Sequence, residues 1–362
     1  MTGKQHIVVL GAGYAGLAAA RRLAGRAGTA QVTVVDARAE FVERVRLHQQ
    51  VAGQRLRRWD LAEILDRKGI RFTLARATRI DAAAKRVELD RGDSIGYDVL
   101  IYALGSLADP GQVPGAAEFA KSVATPEDSA WAANGGTIAV VGAGATGIEL
   151  AAELAESQPD SRVVLLSADE PGAWLSAKAA AHIRAVLEKL GVEIRADVKV
   201  VEVTADGVRL ASGEFVEART TVWTTGFGVP DLAAQAGLAV DGAGRVLTDE
   251  SLRSISYPEI YAAGDSAVVA GPGGRSLRMA CATALPTGKY AADVIAARMR
   301  GREPGDLRFR YIVQCISLGR RDAVIQVLHA DDTPARTVLR GRLGAKVKES
   351  IVRGAASAAG LR

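Results

Sequence analysis

Residues 7–16 read IVVLGAGYAG, a short apolar run that passes directly into a glycine-rich turn. Four apolar residues in a row predict a strand buried on both faces, and the alanine-rich run 17–23 predicts a helix. Gly11 would permit the sharp turn, Gly13 would let backbone N–H groups approach a pyrophosphate, and Gly16 would let helix and strand pack closely. A strand, a tight glycine turn and a helix in this order indicate a dinucleotide-binding fingerprint.

An acidic residue follows at the spacing that such a fingerprint requires. A second predicted strand, 32–35, ends in Asp36. A carboxylate at this distance after Gly16 can accept hydrogen bonds from the diol of a ribose. The N-terminus of the helix adds the positive end of a dipole, which favours phosphate. The first 36 residues therefore predict a nucleotide-binding βαβ unit.

The opening pattern returns in the middle of the chain. A predicted strand at 137–141 leads into three glycines at the same mutual spacing as the first three, and these open a second helix predicted at 148–157. The three glycines are Gly142, Gly144 and Gly147. Two such units predict two bound nucleotides, or one unit that has lost its ligand.

The second unit lacks the acidic residue of the first. Ser167 stands at the same distance after Gly147 as Asp36 does after Gly16. A serine can exchange a hydrogen bond with a ribose but supplies no charge, and Asp169 and Glu170 just beyond it could reach the ribose instead. No arginine follows at once to favour a 2′-phosphate. The sequence therefore favours NADH over NADPH only weakly and predicts weak discrimination between them.

Length and composition narrow the class of protein. A chain of 362 residues can bury large cores and should form two or three domains. No apolar run reaches the roughly 18 residues typical of a membrane-spanning helix, and no signal peptide precedes the first strand. Two cysteines, Cys281 and Cys315, indicate a reducing setting, and a net charge of +5 is too small to indicate nucleic-acid binding. We expect a cytoplasmic α/β protein.

Apolar periodicity and capping residues predict further elements along the chain. Thr125, followed by a proline and two acidic residues, indicates the start of a helix, and Asp206-Gly207 indicates a hairpin. Other strands are expected at 70–74, 97–103, 220–223, 308–316 and 322–328, a small antiparallel meander around 79–89, and helices at 61–65, 176–190 and 285–300.

The last stretch of the chain is basic. From Arg336 onward it contains seven arginines and lysines and one acidic residue. Apolar residues recur at every fourth position, namely Leu339, Leu343, Val347 and Ile351. A helix there would be basic and amphipathic. Such a helix either docks on its own domain or lies on a membrane surface, and the sequence leaves both open.

Five motifs, taken together and in order, resemble one family of flavoproteins. They are VVLGAGYAGL at the start, YALGS at 102–106, VVGAGATGIELAAEL in the second unit, WTTGF at 223–227 and IYAAGDSA at 260–267. This pattern is similar to the pyridine nucleotide–disulfide oxidoreductase fold, the family of flavoproteins that binds two dinucleotides. Within that family it most resembles the type II NADH dehydrogenase-like branch. The resemblance covers roughly residues 5–330.

The resemblance implies the cofactors and the domain plan. FAD would lie in the first unit, with Asp265 bonding its ribityl chain, and NAD(P)H in the second. The fold would be α/β with a discontinuous FAD domain (1–108 and 229–301), an inserted NAD(P)H domain (109–228) and a small C-terminal α+β region (302–362). The cofactor-binding residues would be Gly11, Gly13, Tyr14, Ala15, Gly16, Asp36, Ala37, Arg46, Ala103, Gly105, Gly142, Gly144, Gly147, Gly226, Gly264, Asp265 and Thr283.

Two residues are candidates for catalysis. Glu149, two residues after Gly147, matches the glutamate that type II dehydrogenases hold near the flavin and the nicotinamide. The alternative is an acidic residue favoured only by the helix dipole. His48 lies in the segment that would face the flavin, although a single histidine is more often structural. Trp223 is expected to be a core residue.

The chain departs from the family pattern in two places. The branches that use a disulfide carry a cysteine pair beside the flavin, whereas residues 42–53 contain no cysteine, so dithiol chemistry is not expected. Type II dehydrogenases also carry a longer C-terminal membrane-binding segment, and this chain has only the short basic stretch. A membrane respiratory role is therefore in question.

Three functions fit these observations. The first is an oxidoreductase that passes hydride from NAD(P)H to FAD and electrons to a quinone, another small oxidant or O₂. The second is a flavin-dependent oxidase or oxygenase of a small organic substrate, in which the second nucleotide site is weakened. The third is a flavin-binding redox sensor that docks through the basic stretch. The expected partners are small molecules, with peripheral contact at the inner face of a membrane left open, as is the oligomeric state.

Overall fold

The computed structural model describes residues 4–111, 113–129, 131 and 135–361. The first third of the chain alternates strands and helices, as the pattern predicts. Its elements are β1 (His6–Leu10), α1 (Tyr14–Ala24), β2 (Gln31–Asp36), α2 (Leu47–Val51), α3 (Leu61–Asp66), β3 (Arg71–Leu74), β4 (Ala77–Asp81), β5 (Arg86–Leu89), β6 (Ser94–Gly96) and β7 (Val99–Tyr102).

The middle third repeats this plan. Its elements are β8 (Leu107–Ala108), α4 (Ala116–Phe119), β9 (Gly136–Val141), α5 (Ala145–Ser157), β10 (Ser161–Leu166), α6 (Ala177–Lys189), β11 (Glu193–Arg195), β12 (Val200–Thr204), β13 (Gly207–Leu210), β14 (Phe215–Glu217) and β15 (Thr220–Trp223). The predicted hairpin at Asp206-Gly207 joins β12 to β13.

The last third supplies the remaining elements. They are β16 (Phe227–Gly228), α7 (Leu232–Gln235), β17 (Val246–Leu247), β18 (Ile260–Ala262), β19 (Ala267–Val268), α8 (Cys281–Arg298), β20 (Val313–Ser317), β21 (Ala323–Leu328), β22 (Pro334–Arg340) and α9 (Gly341–Ala359). The α8 helix begins before the predicted start at Leu285, so that Pro286 lies inside it.

The first unit is built on a five-stranded parallel sheet in the order β18-β7-β1-β2-β3. Residues 7–10 of β1 are fully buried, because elements cover both faces of the central strand of a parallel sheet. The outer strand β18 follows the whole second unit in the sequence and pairs with β7 in this sheet. The α/β class predicted from the sequence is confirmed.

The second unit contains a four-stranded parallel sheet in the order β11-β10-β9-β15. The chain enters this unit through β8 and leaves it through β16, and these two short strands pair antiparallel. The two chain segments that connect the units therefore lie side by side as a two-stranded antiparallel ribbon. The domain boundaries near 108 and 228 stay a prediction, which this ribbon supports.

The helix predicted to start at Thr125 is wrong for the part of it that the structure describes. Residues 125–129 form a turn in which the Ser129 backbone N–H donates to the Thr125 carbonyl at 3.0 Å. The Ser129 hydroxyl donates to the carbonyls of Thr125 and Pro126 at 2.8 and 3.1 Å, and such local bonds compete with a helix. Glu127 is meanwhile held by Arg38 of the first unit through two bonds of 2.7 and 2.8 Å.

The C-terminal region is a three-stranded antiparallel sheet, β20-β21-β22, with α9 packed on it. The sequence did not predict β22, and Leu339, assigned to the helix, lies in this strand. The predicted apolar face is also wrong, since Leu343 is 59% exposed. The buried stripe of α9 consists of Gly344, Lys348, Val352, Ala356 and Ala359.

Candidate functional site

The first glycine turn is closed by packing at two positions and open at one. Gly11 has a φ of +95°, and a Cβ there would lie 2.4 Å from the Ala103 carbonyl oxygen. A Cβ on Gly16 would lie 1.8 Å from the Gly11 carbonyl oxygen. A Cβ on Gly13 would meet nothing within 4 Å. Free space therefore faces the N-terminus of α1, where backbone N–H groups favour phosphate.

Asp36 lies at the end of β2, beside this turn. Its carboxylate accepts a hydrogen bond from the Ala12 backbone N–H at 2.6 Å and another from the Arg38 backbone N–H at 2.9 Å. These bonds fix the carboxylate at the edge of the open space, where a ribose diol would meet it. Ala37 follows at an exposed position.

A second acidic residue comes from the far end of the chain. Asp265 accepts a hydrogen bond from the Ser106 hydroxyl at 2.7 Å, and its carboxylate lies 3.7 Å from the Arg44 guanidinium. Gly264, with a φ of +73°, packs so closely that a Cβ would lie 2.9 Å from the Cβ of Ala15. The Ser266 hydroxyl also donates to the Gly105 carbonyl at 3.1 Å.

Three further residues predicted to bind the flavin are held by protein contacts or enclosed in the core. Thr283 is buried, and its hydroxyl donates to the carbonyls of Arg278 and Ala280 at 2.7 Å each, at the start of α8. Arg46 is engaged by three side chains, those of Glu43, Gln49 and Glu349. Tyr14 is buried, and within the described residues its hydroxyl has no hydrogen-bond partner.

These features fit FAD in the first unit. The free space at Gly13 suits a pyrophosphate, Asp36 suits a ribose, and Asp265 stands where the returning strand β18 ends. The fold thus brings two carboxylates from distant parts of the chain to the ends of strands β2 and β18 of one parallel sheet. The individual roles of these residues toward the cofactor stay predictions.

The second glycine turn has the same geometry. Gly142 has a φ of +104°, and a Cβ on Gly147 would lie 1.8 Å from the Gly142 carbonyl oxygen. A Cβ on Gly144 would meet nothing within 4 Å. Gly226, with a φ of +79°, is pressed against Asp109, where a Cβ would come within 2.7 Å of the carbonyl oxygen. The second turn therefore also leaves space for a nucleotide at the start of α5.

Glu149, on the first turns of α5, is the centre of a buried polar cluster. The Lys348 ammonium donates to Glu149 Oε1 at 2.7 Å and to the Ser317 hydroxyl at 2.9 Å. Ser317 donates to the same carboxylate oxygen from its backbone N–H at 2.9 Å and from its hydroxyl at 3.1 Å. His48 Nδ1 lies 3.9 Å from Glu149 Oε2, and its Nε2 lies 3.4 Å from the Ser317 hydroxyl. The two predicted catalytic residues thus lie together.

Burial decides the charges in this cluster. Burial lowers the pKa of His48 from 6.5 to about 4, although Glu149 opposes the shift, so the ring is neutral at pH 7. Burial alone would raise the pKa of Glu149. The nearby Lys348, His48 and the hydrogen bond from the Ser317 backbone N–H outweigh this effect, so the pKa of Glu149 is lowered. Because the unfolded chain protonates His48 near 6.5, the folded state loses stability as pH falls below that value.

Ser317 and Lys348 are the members of the cluster that the sequence analysis does not predict, and Lys348 is the charged one. It was counted among the basic residues of a surface stretch, yet it is only 6% exposed. Gly344, Lys348 and Val352 recur at intervals of four, and this second periodicity could have marked the lysine as an inward-facing residue. A cavity of about 200 Å³ adjoins it, lined also by Ser317, Arg320 and Asp322.

The structure also shows the surroundings of Trp223 and of the two cysteines. Trp223 is buried in the core of the second unit, as expected, and Cys281 and Cys315 are free thiols. In the described part of the chain, no cluster of three or more histidine, cysteine, aspartate and glutamate residues could hold a metal ion. In that same part, every helix is too short or too polar to cross a membrane.

An Asp36→Ala variant is expected to bind FAD about ten-fold or more weakly, because the loss of a charge-assisted hydrogen bond costs roughly 1.5–3 kcal/mol. Titration of the apoprotein with FAD, followed by flavin fluorescence, measures this affinity. Asp93→Ala makes the same change in the turn between β5 and β6, where Asp93 is 58% exposed, and should leave FAD binding unaltered. Equal affinities for the two variants would remove Asp36 from the site.

Two dinucleotide-binding turns and a buried carboxylate define a flavoprotein class with one site for FAD and one for a pyridine nucleotide. The family model described as pyridine nucleotide-disulphide oxidoreductase matches residues 5–288. The chain belongs to this family, and is therefore an FAD-dependent oxidoreductase.

Individual relatives agree with this assignment. An NADH dehydrogenase-like protein of Mycobacterium tuberculosis is 34% identical, over 95% of this chain and 92% of its own length. A type II NADH:quinone oxidoreductase of Staphylococcus epidermidis is 28% identical over 89% of each chain. The solved structure of NDH2 from Plasmodium falciparum, in complex with NADH, superposes with a TM-score of 0.82 at 14% identity, over 96% of this chain and 94% of that one. That likeness shows the fold. The predicted resemblance to the type II NADH dehydrogenase-like branch is confirmed.

Proposed function

We propose that this protein oxidises NADH or NADPH at the second unit and reduces a quinone or another small acceptor. The observation that carries the proposal is the position of Glu149. It lies on the helix whose N-terminus opens onto the second nucleotide space, and it contacts His48 from the segment predicted to face the flavin. Bound FAD supplies the hydride acceptor and the electron carrier between the two substrates.

The chain's own residues supply positioning and proton handling. Open space at Gly13 and at Gly144 admits the two pyrophosphates against the starts of α1 and α5. The pKa of Glu149 is lowered, so its carboxylate is ionised beside the Lys348 ammonium and can accept a proton during turnover. The cavity that Lys348 and Ser317 line offers this pair a place for proton exchange. His48, being neutral, can orient the carboxylate without adding a charge.

The experiment is anaerobic mixing of the purified yellow protein with NADH, NADPH or buffer while the flavin absorbance is followed. We expect about one FAD per chain and bleaching by both coenzymes, with the colour restored by a soluble quinone. Slow bleaching by both donors would favour the oxidase or oxygenase function instead. A wild-type protein that cannot be loaded with FAD would overturn the proposal.

A matched variant separates nucleotide binding from flavin binding. Gly144 has a φ of −66° and free space around its position, so Gly144→Val should fold but fill the second nucleotide space. This variant is expected to stay yellow and to lose bleaching by NADH. Bleaching at the wild-type rate would place the nucleotide elsewhere.

We also propose that α9 makes peripheral contact with the inner face of a membrane. Its inner stripe is docked on the protein, but Leu343 is 59% exposed, beside the exposed cations Arg342 and Lys346. Exposed apolar residues flanked by cations favour the surface of an anionic bilayer. Leu343→Asp is expected to weaken co-sedimentation with anionic vesicles several-fold, whereas Leu107→Asp, a change at another exposed leucine, should not. Equal binding by both variants would overturn the contact through Leu343.

A further inference from the structure

The end of β10 is the point at which a coenzyme's adenosine ribose meets the second unit. Ser167 stands there and is buried. Its backbone N–H donates to the Arg195 carbonyl at 3.0 Å, and its hydroxyl donates to the Asp169 carbonyl at 2.6 Å. The hydroxyl proton is therefore committed to the following loop, and only the oxygen lone pairs face a ligand. Ser167 can distinguish little between a 2′-hydroxyl and a 2′-phosphate.

The loop that follows, 167–172, is held tightly against α6. Gly172 has a φ of +82°, and a Cβ there would lie 2.8 Å from Cδ1 of Ile183. Two residues earlier, Glu170 accepts a hydrogen bond from Nε of Arg184 at 3.1 Å and further bonds from its Nη2. Arg184 lies on α6, too far along the chain from Ser167 for a local sequence pattern to connect the two. The fold nevertheless brings a cation to the loop that follows Ser167.

We propose that the ion pair of Glu170 and Arg184 sets the choice between NADH and NADPH. This inference rests on the proposed function, since it assumes that the second unit binds a nicotinamide coenzyme. A 2′-phosphate would be attracted by Arg184 and repelled by Glu170, whereas a ribose diol carries no charge. In the intact pair the two influences oppose each other, and the wild type should discriminate weakly. Removing either partner should therefore shift the preference, and in opposite directions.

Arg195 is a second cation near this strand end. Arg195 donates to Glu193 at 2.6 Å and to Glu214 at 2.6 Å. Glu193 lies on the same strand, β11, and Glu214 lies in the turn before β14, so neither partner is on the loop after Ser167. Arg184 also donates to Glu188, at 3.0 Å, but that residue lies one turn further along α6 and is 55% exposed. Glu170 is thus the acidic residue of the loop that pairs with Arg184.

The test is stopped-flow reduction of the flavin in the FAD-loaded protein, with the ratio of second-order rate constants for NADPH and NADH as the readout. Glu170→Gln is expected to raise this ratio about five- to ten-fold, and Arg184→Gln to lower it by a similar factor. Both shifts should shrink in high salt, because the groups are solvent-exposed. Glu202→Gln is the matched control, since it frees an arginine (Arg209) from an exposed pair on the β12–β13 hairpin of the same unit.

The outcomes separate this inference from the function on which it rests. If neither coenzyme bleaches the flavin of the wild type, the proposed function fails. If both coenzymes bleach it but Glu170→Gln and Arg184→Gln leave the ratio unchanged, the coenzyme function holds and the inference is overturned. An equal shift in Glu202→Gln would also overturn it, because net charge alone would then explain the effect. A shift in Arg195→Gln but not in Arg184→Gln would overturn it too, by assigning the choice to the other cation.

Discussion

A Lys348→Met variant is expected to lose roughly 3–5 kcal/mol of unfolding free energy, because it leaves the buried carboxylate of Glu149 without its cationic partner. The ammonium is 2.7 Å from that carboxylate and 2.9 Å from the Ser317 hydroxyl. Methionine fills nearly the same volume, so the loss would come from the charge and not from a cavity. Urea unfolding of the FAD-loaded protein measures the change as a shift in midpoint at constant slope.

Two further variants test the cause of this loss. Lys346→Met makes the same substitution two residues earlier, at an exposed position of α9, and should change stability by less than about 0.5 kcal/mol. Adding Glu149→Gln to Lys348→Met should restore much of the stability, because the unpaired charge is gone. A double variant no more stable than Lys348→Met alone would show that the lysine acts through packing.

The pH dependence of the same variant has a defined sign. In the wild type the pKa of Glu149 is lowered, so its contribution to stability is present above the ordinary carboxyl pKa and is lost as pH falls. Without Lys348, burial would dominate and raise that pKa. The variant should then gain stability relative to the wild type as pH falls through this raised pKa toward the ordinary carboxyl pKa. A difference in unfolding free energy that stays constant at all pH values would show that Lys348 does not affect the ionisation of Glu149.

The two nucleotide-binding units could be predicted because each is a local pattern. A strand, three glycines and a helix follow one another without interruption, and the steric need for Gly11 and Gly16 follows from their positions in the turn. The structure adds that, of the three glycines in the first turn, Gly13 is the open one, which agrees with its predicted proximity to a pyrophosphate. The acidic residue Asp36 was found in the same way, by its distance along the chain.

The polar cluster could not be predicted, since its members meet only through the tertiary fold. Glu149 and Lys348 are 199 residues apart along the chain, and Ser317, on strand β20, contacts both of them. The basic composition of the last stretch also favoured a surface interpretation of Lys348. Its inward orientation depends on which stripe of α9 faces the sheet, and two stripes were available. Small residues at Gly344 and Ala356 let the helix approach closely on the lysine side.

Arg184 illustrates the same limit in the second unit. No arginine directly follows Ser167 in the sequence to favour a 2′-phosphate. The packing of the loop onto α6 nevertheless pairs Arg184 with Glu170 of that loop. Charge near a ligand is therefore set by which helix a loop packs on. That packing depends on contacts such as the one between Gly172 and Ile183.

The second large effect is expected at Glu149 itself. Glu149→Gln should retain the fold and FAD but lose some unfolding free energy, because the amide oxygen can still accept the two Ser317 bonds while Lys348 loses its charged partner. It should slow reduction or reoxidation of the bound flavin by about 10²-fold, the low end for a lost acid–base group. Stopped flow separates the two steps: NADH is mixed with the oxidised protein in one experiment, and quinone with the NADH-bleached protein in the other. Slowing of the NADH step indicates that Glu149 positions the nicotinamide, and slowing of the quinone step indicates that it delivers a proton.

The alternative for Glu149 is a residue that only stabilises the start of α5 through the helix dipole. That role predicts a stability loss below about 1 kcal/mol and wild-type rates in both steps. Glu153→Gln is the matched control, one helical turn further along α5. Glu153 is also buried and pairs with Arg320 at 3.1 Å, so this variant neutralises a second buried carboxylate on the same helix. If Glu149→Gln and Glu153→Gln both retain wild-type rates, Glu149 has no part in the chemistry; if only Glu149→Gln is slow, and it is slow in the quinone step, the buried carboxylate beside Lys348 is the acid–base group of this oxidoreductase.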